Sequence, residues 1–539
     1  MPITLDLITE VFLRRIRTFF SFKAHPGLNI CLCLLCGLKR ILHLLHRIFA
    51  GHVHADKEVA RRPPELPLEL WLEIFQFATH VHRSTSIRLL DPFEPKRTSN
   101  NVMAANAPSL SIRTKLALVL VCKSWKVVAE RFLYEHLVIR SPARANAILK
   151  TLLASRRTLH NGEIDTGYGR WPVHIEIFTH ARGTNNIRFL QTLFRIFQCC
   201  PNVRHLSGSW IHPLPIEFLN VISDCYAPTL QGLCWDEANT TAPFTVATPD
   251  FISSFQDLRV LDLRHYVGCN FTQFSNSTSS PTLPYVTDLI LSTRSECLQT
   301  ANFLSLPRVR NLTLCITLHD CQVFKPRVPY HEIRRFIEKH GHTLTSVDLP
   351  TPAPILEPEP DSSGFRHTVE HIRPDVFLEP DACPNLVSLV YPVTSEPLTP
   401  HGHPNLRRIG LRGVLRAETL YPDKPSKVKT HLEGITPKLY PRLQEIRTVG
   451  FLVDAETDRY IKDVFIWWVE KFEDYNIDLL DGEGVLWAYT DPVDEAIGPV
   501  EVPSKLEMGE QSKELCSLPL DTPTELKDTS DSRSACDAQ

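Results

Sequence analysis

Few of the 539 residues stand where side-chain chemistry would need them. Cys33-x-x-Cys36, with Cys31 beside it, has the spacing of half a zinc knuckle, in which paired thiolates hold one side of a tetrahedral ion. No second pair follows at the knuckle's spacing of roughly 15–20 residues, and His43 and His46 sit on an apolar stripe instead. Lipidation of these cysteines reads marginally better than metal. His52-Val-His54, His340-Gly-His342 and His401-Gly-His403 lack acidic or cysteine partners, so they read as turn or surface histidines. Gly208-Ser209 opens a nucleophile-elbow pattern without its closing glycine, and no glycine-rich loop ends in the Gly-Lys-Ser/Thr that cradles phosphate. Asp481 and Glu483 read as turn residues rather than a general acid and base. The Asn-x-Ser/Thr matches at Asn239, Asn270, Asn276 and Asn311 mean little without a secretory signal. No catalytic residue, metal or cofactor is expected.

Composition narrows the class further. Lys and Arg number 58 against 61 Asp and Glu, so no bulk cationic field points to nucleic acid. Hydrophobic residues at 43% provide ample material for a core. The 42 prolines against 21 glycines argue for many short connections, and 15 cysteines are too dilute for a disulfide scaffold of this length. The length allows two to four domains or one long repeat array. These features describe a cytoplasmic and/or nuclear protein, with an interaction role standing level with an enzymatic one.

The two ends read differently from the middle. Residues 1–60 are basic and apolar: Arg14, Arg15, Arg17, Lys23, Lys39, Arg40 and Arg47 face only Asp6 and Glu10 through residue 55. The run Leu28–Leu38 is cut by Lys39-Arg40 at roughly half of the ~20 residues a membrane span needs. Ile41, Leu42, Leu44, Leu45, Ile48 and Phe49 fit a basic amphipathic helix. Packing on the protein, or a disordered extension, is the first reading, and membrane contact the second. Residues 499–539 lack any aromatic side chain and read as a disordered acidic tail.

Residues 61–140 carry the most specific local pattern. Prolines open a helix in which Leu66, Leu70, Ile74 and Phe75 recur at helical spacing, with Glu69 and Glu73 on another face. A polar stretch at about 80–111 reads as an inserted loop. A second helix follows through Lys115–Trp125 and continues toward Ile139. Three short helices cannot bury this many large apolar side chains on one another, so a partner should cover the remainder. Leu66-Pro67-x-Glu69-Leu70-x-x-x-Ile74-Phe75, then Val121-Cys122-Lys123-x-Trp125, resembles an F-box. The likeness is closest to the F-box-like proteins of fungi, including the tail Phe132–Ile139, and the loop at 80–111 is its departure from the family. The resemblance implies docking on the Skp-type linker protein, and through it the cullin scaffold, of SCF-type ubiquitin ligases. Residue by residue, it assigns Leu66, Pro67, Leu70, Ile74, Phe75, Val121, Cys122 and Trp125 to that contact.

Beyond the helices a short pattern recurs, often opened by Pro: an apolar residue, two more polar ones, then an alternating apolar pair. It appears at Cys200–Leu206, Ala227–Trp235, Leu258–Leu263, Leu283–Leu291, Leu306–Leu314, Leu344–Leu349, Pro384–Tyr391, Pro404–Leu411 and Pro441–Ile446. Anchor residues from Leu206 to Ile446 recur about every 30 residues, slightly above the usual leucine-rich-repeat period. The steps are irregular, and two long ones are explained by insertions around Pro326–Tyr330 and Pro350–Gly364. Each unit reads as a parallel strand plus a helix that must stack to bury its apolar face. The expected fold over 165–490 is thus α/β: a curved solenoid resembling a degenerate leucine-rich-repeat array, with strands on its concave face. Trp171–Ile177 is the expected first strand, and Ile461–Phe472 with the strands after it the capping end. An α/β domain with leucine-rich strands is the alternative.

Together these resemblances imply a non-catalytic adaptor that grips a ligase core and captures a target protein on the solenoid. Positions expected to face outward between the strand leucines are Arg204, His205, Trp235, Asp262, Arg264, Asp288, Arg310 and Arg407, with Trp210 near the same rim. The rival is a repeat scaffold outside ubiquitination, tethered to membrane by its N-terminus. An enzyme remains only if the strands belong to another α/β fold.

Overall fold

A computed structural model describes residues 66–79, 91–93, 108–158, 164–178, 186–212, 214–237, 247–269, 280–316, 329–350, 372–398, 401–419, 423–453 and 459–488. The basic segment 1–60 with its cysteines, most of 80–111, the insertion at 350–364 after its first residue and the tail 499–539 lie outside the described residues.

The first described elements are three helices: α1 (Leu68–Thr79), α2 (Pro108–Val121) and α3 (Lys123–Glu135). The Pro67 carbonyl accepts the first helical N–H groups of α1, from Leu70 at 3.1 Å and Trp71 at 3.2 Å. Cys122 caps α3, its Sγ accepting from the Trp125 N–H at 3.4 Å. Helix α3 then runs without a break into strand β1 (His136–Ile139).

After β1 come α4 (Pro142–Ser155) and the small antiparallel pair β2 (Arg157–Thr158) and β3 (Ile164–Asp165). The chain continues through β4 (His174–Phe178), α5 (Asn186–Cys199), β5 (His205–Ser209), α6 (Ile216–Tyr226), β6 (Gly232–Asp236), α7 (Pro249–Ser253) and β7 (Val260–His265). Next are β8 (Asp288–Ser292), α8 (Ser295–Phe303), β9 (Asn311–Cys315), α9 (Tyr330–His340) and β10 (Ser346–Asp348). The last are β11 (Ser388–Pro392), β12 (Arg408–Arg412), α10 (Lys427–Gly434), β13 (Glu445–Val449), α11 (Arg459–Glu473) and β14 (Asp478–Leu480). Twelve strands form one sheet in the order β1-β4-β5-β6-β7-β8-β9-β10-β11-β12-β13-β14, every neighbouring pair parallel. Strands therefore follow one another in chain order. A doubly wound sheet would reverse direction at a switch point, so this is the order of stacked repeats.

Register explains the repeating leucines. Leu206, Leu233, Leu261, Leu289, Leu312, Val347, Leu389, Ile409 and Ile446 stand in one column across β5–β13, each paired with the next and all buried. Because side chains alternate along a strand, the residues two further on turn to the same side. Leu263, Leu291, Leu314, Tyr391 and Leu411 thus face the same side one row further on, and Leu193, Phe197, Leu219, Phe336 and Val464 of the helices pack into the same core. Each turn is locked to the next through its backbone. The Arg204 carbonyl accepts from both Gln231 and Gly232, as does Arg259 from Thr287 and Asp288, and Arg407 from Gln444 and Glu445. The recurrent Pro-Asn has its own role: Asn202, Asn385 and Asn405 each donate from Nδ2 to a carbonyl of the preceding coil at 2.8 Å.

Two expectations change. The sheet begins at His136–Ile139, not at Trp171–Ile177, because Leu137 and Ile139 continue the anchor pattern directly from the end of α3. Nor is every unit strand plus α-helix. Between β10 and β11 the described residues hold only a 3₁₀ turn, Pro374–Phe377, and between β11 and β12 no helix is described. That second step is the shortest, from Leu389 to Ile409.

Candidate functional site

Two surfaces can meet partners, and the first is built by α1–α3. Their small core is aromatic: Trp125 lies 5.0 Å from Trp71 and 5.0 Å from Phe75, and Phe75 lies 6.4 Å edge-on from Phe132. Thr79 Oγ1 donates to the Phe75 carbonyl and Ser111 Oγ to the Thr79 carbonyl, each at 2.7 Å, tying α2 to α1. Burial pulls the buried Lys115 ammonium below its usual range, with Glu135 acting against it. What this core does not use is left in water. Leu70, Ile74 and Phe77 form an i, i+4, i+7 stripe on α1, and Phe77 is 81% exposed. Helix α2 is apolar on several sides, with Leu118 and Val119 packed against the core and Leu116, Leu120 (78% exposed) and Val121 outside. Val127 of α3 is 72% exposed and Leu68 is also in solvent.

Of the residues assigned to a linker contact, Pro67, Leu70, Ile74, Val121 and Cys122 are exposed and Leu66 is half-buried. Phe75 requires correction. It is 1% exposed, because it lies about 100° around the helix from Ile74 and faces α3. Trp125 is half-buried within the same aromatic core rather than presented outward. Sequence reasoning missed Leu68, Phe77, Leu116, Leu120 and Val127. The continuation of the 70/74 stripe to 77 was the available signal.

The second surface is the face of the sheet turned away from the helices, carrying the first, third and fifth residues of each strand. At its β1 end three histidines occupy equivalent positions. The His136 and His174 rings stack with centroids 4.4 Å apart, and His205 meets His174 edge-on at 6.1 Å. Glu176 Oε2 lies 3.3 Å from His136 Nε2, and Ser207 Oγ lies 3.1 Å from His174 Nε2. Burial, helped by the Arg204 charge, pushes His205 down to about 4. Burial alone would raise Glu176, but its bond to His136 and the charges of His136, His174 and Arg140 hold it below the usual carboxylate range.

Ion pairs dominate the middle of this face. Arg264 donates to Asp262 from Nη2 at 2.7 Å and from Nε at 3.0 Å, and Arg412 Nη2 donates to Asp348 at 2.6 Å. Asp288 accepts from Asn311 Nδ2 at 2.7 Å and Thr287 Oγ1 at 2.6 Å. The thiols among these charges stay protonated. Burial and the Asp262 carboxylate raise Cys234 well above its usual range, and burial, despite Arg264, pushes Cys315 up to about 11. Further along, Asp91–Phe93, from between α1 and α2, lies against β11–β13.

The residues expected to face a target divide into three groups. His205, Asp262, Arg264 and Asp288 are on this face, although Asp262 is buried and its carboxylate is held by Arg264. Arg204, Arg310 and Arg407 are exposed but precede β5, β9 and β12, so they line the sheet's edge, together with Arg259. Trp235 and Trp210 belong to the core, both 1% exposed and 5.3 Å apart. The reason for Trp235 is strand parity: it stands two residues after Leu233 and turns the same way. Sequence reasoning missed Glu176, Asp348, Arg408, Arg412 and Arg447, each at an outward position signalled by its spacing from an anchor.

Among the described residues no group of three or more His, Cys, Asp or Glu could hold a metal ion, and no helix is long and apolar enough to cross a membrane. No family model matches the chain, and no curated protein matches it.

Proposed function

We propose that the chain is a substrate-recognition adaptor of an SCF-type cullin–RING ubiquitin ligase. In this reading α1–α3 grip the Skp-type linker protein and the strand array captures a target. Its contribution to catalysis is proximity: it raises the effective concentration of a target lysine near ubiquitin charged elsewhere in the complex. One observation carries the reading. After Phe75, Trp71 and Phe132 close the core of the helical unit, an apolar surface of Leu70, Ile74, Phe77, Leu120 and Val121 is left over. Three of its residues are ones the F-box resemblance assigns to the linker. Fully burying an exposed side chain of this kind is worth up to about 1.5–3 kcal/mol, from which the cost of association is subtracted.

The experiment is co-purification of the full chain with the Skp-type linker protein of the same host. Leu70→Asp and Phe77→Asp are run beside wild type, with circular dichroism to establish that all three fold. A stoichiometric complex weakened by about a hundredfold in both variants is the expected outcome. Absence of a complex with wild type would remove the ligase reading and leave an interaction scaffold.

A further inference from the structure

Asp91-Pro92-Phe93 occupies the open face of β11–β13 as a bound peptide would. Asp91 Oδ2 accepts from Arg408 Nη1 at 3.0 Å, across 317 residues of chain. Its Oδ1 accepts from the Phe93 N–H at 3.0 Å, an Asx turn that presets the triple. The Phe93 ring is 5% exposed and packs on Val390 of β11 and Val449 of β13. Two cations flank that ring, Arg408 with its guanidinium 4.5 Å from the centroid and Arg447 at 5.9 Å. Arg447 also donates from Nη1 to the Phe93 carbonyl. Between the two valine-bearing strands stands Gly410, where a Cβ would come within 2.7 Å of Val390 and 2.9 Å of Val449. A side chain at that position would push the floor of the socket apart.

These groups read a carboxylate, an aromatic ring and a backbone carbonyl at fixed spacing, which is more than a strap needs. We infer that the β11–β13 face is a recognition site for short Asp-x-Phe peptide segments, and that the chain's own residues 91–93 occupy it in cis. A target bearing such a segment competes with this internal copy. The occupant is presented at the high effective concentration of a tethered ligand, of order millimolar, so a free peptide is held off until its own affinity or concentration exceeds that of the tether. As a statement about targets, the inference rests on the sheet being the target-capturing surface. As a statement about a peptide site, it is independent of linker binding, and the two fail separately.

The test uses the full chain and a fluorescein-labelled nonapeptide of its own residues Arg88–Lys96, read by anisotropy. The double variant Asp91→Ala/Phe93→Ala releases the site and is expected to bind the peptide about tenfold or more tightly than wild type. Arg408→Gln added to that variant, or Asp91→Asn within the peptide, abolishes the gain. Equal binding by wild type and the released variant would overturn the inference, as would a gain indifferent to Arg408. Loss of the folded state in the released variant, seen by circular dichroism, would also overturn it by showing the triple to be a structural strap. Linker binding measured on the same samples reports separately on the helical unit.

Discussion

The outward face of α1–α3 and the open face of the sheet leave opposite things to water. On the helices the exposed groups are apolar, from Leu70 and Ile74 to Phe77, Leu120 and Val127. On the sheet the charges are already matched within the molecule: Arg264 to Asp262, Arg412 to Asp348, Arg447 to Glu445 and Arg408 to Asp91. A surface of the first kind binds through area, tolerates variation in its partner and suits a constant one. A surface of the second kind binds only a ligand that replaces the internal pairs it disrupts, since leaving a half-buried charge unmatched is costly. On the proposed reading, the helices would supply affinity and the sheet discrimination.

The sharpest way to break the comparison is to truncate equivalent side chains on the two sides. Leu289→Ala removes a fully buried anchor of the sheet and is expected to destabilise the protein by about 2–5 kcal/mol, whereas Ile74→Ala stays within about 0.5 kcal/mol. Chemical denaturation followed by tryptophan fluorescence reads both. An equal loss at Ile74 would mean that the helical face is internal core rather than a docking surface.

Acid probes the same contrast through histidines that the strand array holds neutral. His205 and His340 are pushed down to about 4, in each case chiefly by burial, with Arg204 and Lys339 adding to it. The unfolded chain, with histidines near 6.5, binds more protons than the folded one between those values, so stability is full above about pH 6.5 and falls as pH drops toward 4. Each histidine contributes at most about 3 kcal/mol to that fall. Melting temperatures from pH 7.5 to 4.5 should decline less steeply in His340→Gln than in wild type. Parallel declines would deny His340 this role.

Smaller effects refine the picture. Breaking the half-buried Arg412–Asp348 pair with Asp348→Asn should cost roughly 1–2 kcal/mol, with a double-mutant cycle against Arg412→Gln isolating the coupling. Independent, additive losses would remove the claim that the open face is internally matched. Phe77→Ser should change stability by less than about 0.5 kcal/mol, read by chemical denaturation, and a larger loss would place Phe77 in the packing of the helical unit rather than on its outer face.

Some of this was legible in the chain alone. The anchor leucines announce themselves through repetition, and the helical unit through its prolines and its apolar spacing. Errors arose where two residues of similar type differ only in phase. Phe75 and Ile74 are adjacent yet lie about 100° apart around α1, one in the core and one in solvent, and Trp235 shares the parity of Leu233 despite its suitability for a surface. The docking of Asp91–Phe93 left no local trace, because its partners Arg408 and Arg447 lie more than three hundred residues away.

Local pattern therefore determined which segments become strands and helices, since hydrophobic period and proline or asparagine punctuation act over a few residues. It also determined that more apolar surface exists on the helical unit than three helices can hide. Tertiary structure alone decided which side of each element is left over, that the sheet begins at β1, and that an acidic–aromatic triple seats on β11–β13. Those outcomes depend on register between distant strands and on competition for one core, and neither is a property of any short stretch of sequence.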